Sequence, residues 1–302
     1  MDLNLVQIVF DVETENTDAV ESFMYQALRR FDVLFRQSCC RFGSKICLEC
    51  NEQSVCPYQN IFAQELSTDL DIVRRHQKPP LPYAFKISHM HDKKSCLEIS
   101  LVVIGNAVNH LYLFDVAVRK MIELIPEKLS GTIPVITGTY CIDYQSGRHE
   151  LDFSLHGTQN MVVLSSLEIM ENTTGSGNVR LILESPLRII STGFVLHSMD
   201  FGAFFRSQLR RCSSLFAYYG DGELDVDYVV LSAAANQVNC LKNGIRFLQP
   251  SWSQRPNCAG LLGIAECEHV VQGILPLLNL GSFINAGKGA SFGLGAYSAE
   301  AV

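Results

Sequence analysis

The stretch that most restricts the fold runs from Gly281 to Tyr297: Gly-Ser-Phe-Ile-Asn-Ala-Gly-Lys-Gly-Ala-Ser-Phe-Gly-Leu-Gly-Ala-Tyr. Five glycines and one lysine fall between Gly281 and Gly295. Leu275 to Leu280 precede it with helical apolar spacing, and Phe292, Leu294 and Tyr297 alternate with small residues as a strand does. The pattern predicts a glycine loop between a helix and a strand. Glycine permits φ > 0 and close approach of a ligand to the backbone. Exposed N–H groups in such a loop make an anion-binding concavity, to which Lys288 adds a charge, so phosphate is the ligand suggested. The plain alternative is a tight turn with no ligand. A Walker A loop is excluded, because five residues separate Gly281 from Gly287 and Gly289 follows Lys288. A dinucleotide fingerprint is excluded too: Phe292 stands where its third glycine belongs, and the order is helix, loop, strand.

Upstream, β-rich and helical segments alternate. Leu3 to Val12 reads as a strand. Thr17 or Asp18 is expected to cap a helix that carries Val20, Phe23, Met24, Ala27, Leu28, Phe31, Leu34 and Phe35 at 3–4 spacing. Cys96 to Gly105 reads as a strand, Asn106 to about Leu124 as a helix, and Pro134–Ile142 and 150–155 as strands. After a polar connector at 171–178, strand character is expected at 179–183, 226–231 and 260–266. Helices are expected from Ser198 or Asp200 to Tyr218 and from His269 to Leu280. Both halves then follow β-α-β-β-α-β, the ferredoxin-like order. The expected fold is α+β, with two ferredoxin-like domains in tandem: residues 1–165, carrying a Cys-rich insert at 39–58, and residues 179–302, carrying the glycine loop at 281–295.

The chain has a net charge of −7 and 47% apolar residues, so it can bury a sizeable core. The charge weighs against nucleic acid unless cations gather locally. They do at Arg29-Arg30-Arg36-Arg41-Lys45, at Arg74-Arg75-His76-Lys78 and at Arg206-Arg210-Arg211, although such clusters are also common as solvated helix faces. No apolar run of membrane-spanning length and no leader pattern is present, so a cytoplasmic protein is expected.

Eleven cysteines are present, and no disulfide framework is expected in such a compartment. Five of them, Cys39, Cys40, Cys47, Cys50 and Cys56, crowd into 18 residues. Cys47-x2-Cys50 is a bidentate hook, and Cys56 with Cys39 or Cys40 can complete four thiolates. Structural zinc takes four tetrahedral S/N ligands, while an iron–sulfur cluster is the rival because Cys-Pro also ends cluster motifs. Reduced free thiols are the plain alternative.

Several of these segments together resemble one known family. Gly287, Lys288, Gly289, Ser291, Phe292, Gly293, Leu294, Gly295 and Tyr297 resemble the C-terminal glycine-rich motif of the CRISPR-associated endoribonucleases that process precursor CRISPR RNA, members of the RAMP superfamily. Cys56-Pro57-Tyr58-Gln-Asn-Ile61-Phe62 resembles the end of the cysteine-rich insert of one branch, and Lys78 to Phe85 its Pro-rich strand entry. Ser185 to Arg188, Arg210-Arg211 with Leu215, Tyr219-Gly220, Trp252 with Arg255, and Gly260, Leu261 and Gly263 continue the match in order.

The resemblance implies two ferredoxin-like domains that bind CRISPR repeat RNA, with the glycine loop against the RNA or supporting its surface. It implies cleavage without a catalytic metal, by attack of the ribose 2′-OH, leaving a 2′,3′-cyclic phosphate and a 5′-OH. Other CRISPR effector subunits are further implied partners; membrane and DNA are not. On this reading the candidate metal ligands are Cys40, Cys47, Cys50 and Cys56, with zinc favoured. The candidate RNA-binding residues are Arg29, Arg30, Arg210, Arg211, Arg255, Gly287, Lys288, Gly289, Gly293 and Gly295. Many members carry a histidine on or just after the first helix, but residues 13–58 contain none. Tyr25, Lys45 and His76 are therefore the catalytic candidates. The same features also fit an RNA-binding effector subunit without cleavage, or a metal or redox protein built on the cysteines.

Overall fold

A computed structural model of the chain describes residues 1–42, 47–63, 65–90, 95–153, 160–173, 177–249 and 258–302. It divides into two compact units. Among the described residues no helix is long and apolar enough to cross a membrane.

The first unit comprises Val6–Tyr83 and Ile87–Val163. Its elements are β1 (Asn4–Glu13), α1 (Thr17–Ala27), α2 (Phe31–Cys39), α3 (Pro57–Phe62), α4 (Leu70–Arg75), β2 (Tyr83–His89), β3 (Cys96–Ile104), α5 (Leu111–Glu123), α6 (Glu127–Ser130), β4 (Val135–Ile142) and β5 (Arg148–Glu150). The sheet order is β2-β3-β1-β4-β5. The first four strands give the ferredoxin-like order, with β1 and β3 central and buried over most of their length. β1 and β4 run antiparallel with Ile8 opposite Cys141, and the register shifts between Asp11 and Val12. Asn16, rather than Thr17 or Asp18, caps α1, because its side chain accepts from the Ala19 N–H. The apolar stripe continues through a 3-10 turn at Leu28–Arg30 into α2. Phe31 and Phe35 pack there against Phe114 of α5, at 6.1 and 4.9 Å between ring centroids. Phe62 at the end of α3 joins the same cluster, 5.3 Å from Phe35 and 5.8 Å from Tyr83.

The second unit comprises Met1–Leu5, Ala84–Lys86 and Leu164–Val302. Its elements are β6 (Leu164–Ser165), α7 (Ser166–Glu171), β7 (Gly177–Leu187), the hairpin β8 (Ile190–Ser191) and β9 (Phe194–Val195), α8 (Phe201–Tyr219), α9 (Tyr228–Ala235), β10 (Asn239–Asn243), β11 (Arg246–Leu248), β12 (Gly260–Val270), α10 (Ile274–Ile284) and β13 (Tyr297–Ala301). The sheet order is β10-β12-β7-β13, again ferredoxin-like, with β11 also on β12. On the central strand β7, Leu183 faces Gly263 on one side and Tyr297 on the other.

Four segments depart from the sequence expectation. Residues 150–155 were expected as a strand, yet β5 is Arg148–Glu150, and 154–155 lie outside the described residues. Residues 226–231 were expected as a strand, yet Tyr228–Ala235 is helical, with Asp227 accepting from the N–H groups of Val229 and Val230. His269 was expected at a helix start; it lies in β12 with φ +64°, and the helix begins only after Gly273 at φ +93°. Gly281 belongs to α10 rather than to the loop, and strand geometry begins at Tyr297, not Phe292. One disulfide is also present, Cys240–Cys267, whereas none was expected. The two residues are directly opposed on β10 and β12. The other nine cysteines form no disulfide among the described residues.

Candidate nucleic-acid interface

The glycine loop is held to the end of β7 by its own backbone. Ala286 N–H donates to Gly295 O at 2.9 Å, Gly295 N–H to Pro186 O at 3.1 Å, and Lys288 N–H to Arg188 O at 2.8 Å. Phe292 and Leu294 N–H groups both donate to Gly289 O. Ala296 N–H donates to the Ser185 hydroxyl at 2.8 Å. These amides are thus turned inward, and the row of exposed donors expected from the sequence is reduced accordingly. The glycines serve close packing of backbone on backbone. Gly295 has φ +68°, and a Cβ there would lie 1.9 Å from Ala286 O. At Gly287, φ +75°, a Cβ would lie 2.5 Å from Arg188 O. Gly293 and Gly295 are buried, while Gly287 and Gly289 are half-buried.

Lys288 is the exposed side chain at the tip, and it forms no ion pair among the described residues. Beside it, through the shared backbone hydrogen bond, stands Arg188. Its Nε is buried and has no hydrogen-bond partner among the described residues. A buried donor without an acceptor costs about 1–3 kcal/mol, so this atom favours an incoming acceptor. No role was given to Arg188 from the sequence, although it lay in a segment matched to the family. Its environment depends on burial, which no spacing reveals.

The other predicted contacts fall in different places. Arg211 faces inward: its Nε donates to Ile284 O at 2.8 Å and its Nη2 to the Ser291 hydroxyl at 3.3 Å. Its neighbour Arg210 is exposed. Tyr297 is fully buried against Phe204 at 5.0 Å and donates to Leu278 O at 2.8 Å, so it belongs to the core and offers no stacking face. Burial raises its pKa well above that of a free tyrosine and pushes the nearby Cys212 thiol up to about 12. Arg255 lies outside the described residues.

In the first unit, Arg29 and Arg30 are exposed on the turn between α1 and α2. Tyr25 on α1 is buried, at 4% exposure. His76 is half-buried and ends α4, its N–H donating to Ile72 O at 2.7 Å. Lys45 lies outside the described residues, as do His91 and His156. His89 pairs with the buried Glu21 at 3.1 Å and lies 3.8 Å from Asp18. His110, absent from the sequence candidates, ends the 3-10 turn before α5, and burial lowers its pKa. The four predicted metal ligands, Cys40, Cys47, Cys50 and Cys56, line one pocket with Arg36 and Tyr58.

Residues 181–297, which span the glycine loop, Arg188 and α8, match the family model of the CRISPR-associated endoribonuclease Cas6. Over that stretch the chain is similar to the Cas6 family. Residues 3–127 match a second family model, described as an N-terminal domain. No curated protein matches by sequence. Among solved structures, Thermus thermophilus Cas6 is 12% identical with a TM-score of 0.55, over 99% of each chain. A Cas6 product complex is 13% identical, covering 98% of this chain and 100% of that one, with a TM-score of 0.55. A Cas6 substrate mimic complex is 14% identical, covering 98% and 99%, with a TM-score of 0.52. At these identities the likeness concerns the fold: like those structures, this chain has two ferredoxin-like domains in tandem.

Proposed function

We propose that this protein is an endoribonuclease that binds CRISPR repeat RNA and cuts it once within the repeat. The observation that carries this reading is the Cas6 family match over residues 181–297, together with an exposed lysine on the locked loop and, beside it at the end of β7, a buried guanidinium nitrogen without a hydrogen-bond partner among the described residues. Lys288 and Arg188 hold backbone phosphates, and Arg210 adds a further cation. The Cas6 likeness supports the same assignment, since neighbours of this fold are described as substrate mimic and product complexes.

The reaction is transesterification by the substrate itself. The ribose 2′-oxygen attacks the adjacent phosphorus and loses its proton to a base, and the bond to the 5′-oxygen breaks as that oxygen gains a proton. A 2′,3′-cyclic phosphate and a 5′-OH result. His76 is the residue assigned to proton transfer, with Lys45 in support; Tyr25 is buried and is given no contact with RNA. General acid–base groups of this kind contribute about 10²- to 10⁴-fold.

The decisive experiment incubates the purified protein with end-labelled cognate repeat RNA in EDTA and identifies the product termini. One cut with a cyclic phosphate is expected, slowed by about 10²- to 10⁴-fold in His76→Ala. RNA that binds tightly and stays intact establishes the second reading, an RNA-binding subunit without cleavage. The lack of any histidine between residues 13 and 58 favours that reading. RNA that neither binds nor is cut overturns both.

A further inference from the structure

We propose that Cys40, Cys47, Cys50 and Cys56 form a tetrathiolate site for one zinc ion in the first unit. Four thiols from three separate pieces of chain line a single pocket. Cys40 is the residue at which α2 ends, with extended backbone (φ −81°, ψ 117°). Cys56 is the residue before α3, likewise extended (φ −78°, ψ 119°), with Pro57 opening the helix. The Cys56 side chain makes no capping bond to α3, and the Cys40 N–H donates to Arg36 O at 2.8 Å. Between them Cys47 and Cys50 stand on one tight turn, closed by Cys50 N–H donating to Cys47 O at 3.2 Å. That turn presents a Cys-x2-Cys hook of the kind structural zinc takes.

The structure also separates Cys40 from its neighbour, which the sequence left open. The Cys39 thiol faces back along α2, 3.3 Å from Phe35 O and 3.8 Å from Arg36 O, and it does not line the pocket. The surroundings suit a tetrathiolate zinc centre, whose net charge is doubly negative. Arg36 lines the same pocket, with its guanidinium 5.6 Å from the centre of the Tyr58 ring. Soft thiolates without imidazole or carboxylate in the lining select zinc over harder divalent ions.

Among the described residues no three of these sulfurs lie within 4.8 Å of one another; the set that does is Asp18, Glu21 and His89. Binding therefore draws the Cys47–Cys50 turn toward the two helix ends. Those ends are already placed, because Ile61 is 1% exposed and Phe62 packs on Phe35. Closing the site ties α2 to α3 through the excursion between them, which is a structural role independent of RNA cleavage.

The test uses the full chain. Zinc content by mass spectrometry should be one ion per chain after purification under reducing conditions. Added cobalt(II) should give the intense thiolate-to-metal charge-transfer bands of a tetrahedral sulfur site. Cys50→Ser and Cys56→Ser should each lose the stoichiometric ion, whereas Cys39→Ser and Glu21→Gln should keep it. In case those serine variants fold poorly, the metal-free wild-type chain is titrated with zinc alone. Its unfolding midpoint should rise and saturate at one equivalent, as binding to the native state requires. No stoichiometric zinc, an iron–sulfur absorption spectrum, or an ion lost in Glu21→Gln but kept in Cys50→Ser would each overturn the proposal.

Discussion

Arg188, Lys288 and Arg211 are three cations around one loop, and the structure gives them different work. Among the described residues Lys288 forms no ion pair and the buried Arg188 Nε has no hydrogen-bond partner, while Arg211 is a strut between α8 and the loop. Arg188→Ala and Lys288→Ala should each weaken repeat-RNA binding with little change in stability, and each should lower the slope of log affinity against log salt by about one. Arg211→Ala should instead cost about 1–3 kcal/mol of stability, because Ile284 O and the Ser291 hydroxyl lose their donor. Titrations at several salt concentrations and urea unfolding of the three variants separate the two roles. The sequence pointed to Lys288 because it is the one cation in a run of glycines. It could not separate Arg210 from Arg211, because neighbours on a helix point about 100° apart and only packing shows which one faces in. Arg188 stayed hidden because its significance is a missing partner.

The helix α9 turns on a single carboxylate. Tyr228, Val229 and Val230 are β-formers, and the local pattern reads as a strand. Asp227 outweighs it by accepting two N–H groups of the first turn, and Ala233 to Ala235 continue the helix. Tyr228 is anchored by its hydroxyl, 3.0 Å from that of Ser213 and 3.1 Å from Leu224 O. Asp227→Ala should lower stability by about 0.5–2 kcal/mol, and Asp227→Asn should restore most of the loss, as read from the urea midpoint. The long amphipathic helices α2 and α8 were legible because their periodicity persists over many residues. The end of β12 was not. Val270, Val271 and Ile274 have helical spacing, but pairing of Cys267 with both Cys240 and Val179, and of Val270 with Gly177, keeps the strand going through Val270, and the helix starts only at Ile274.

For the molecule as a whole, proton linkage sets the response to acid. Burial lowers the His110 pKa below its ordinary 6.5. The unfolded chain therefore holds more protons at this site as the pH falls through 6.5, and stability declines until the folded pKa is passed. Asp143, held low first by the His149 hydrogen bond, adds its own loss only in the acid range, below its ordinary 3.8. The urea midpoint should fall between about pH 7.5 and pH 5, and by less in His110→Gln. A net charge of −7 is compatible with an RNA-binding role because cations such as Lys288 and Arg210 are exposed where the sequence expected contact.

The two compact units are not two consecutive lengths of chain. One is continuous apart from three residues of β2, whereas the other takes its strand pairs from both extremes: Asn4 and Leu5 pair with β6, and β7 waits for β13. During synthesis the inserted unit has its whole sequence available once Val163 has emerged. The other cannot complete its sheet until Tyr297–Ala301 follows, roughly 7–30 s later at ordinary elongation rates. Throughout that interval β7 lacks a neighbour on one edge, and Asn4 and Leu5 must stay available for partners made more than 150 residues later.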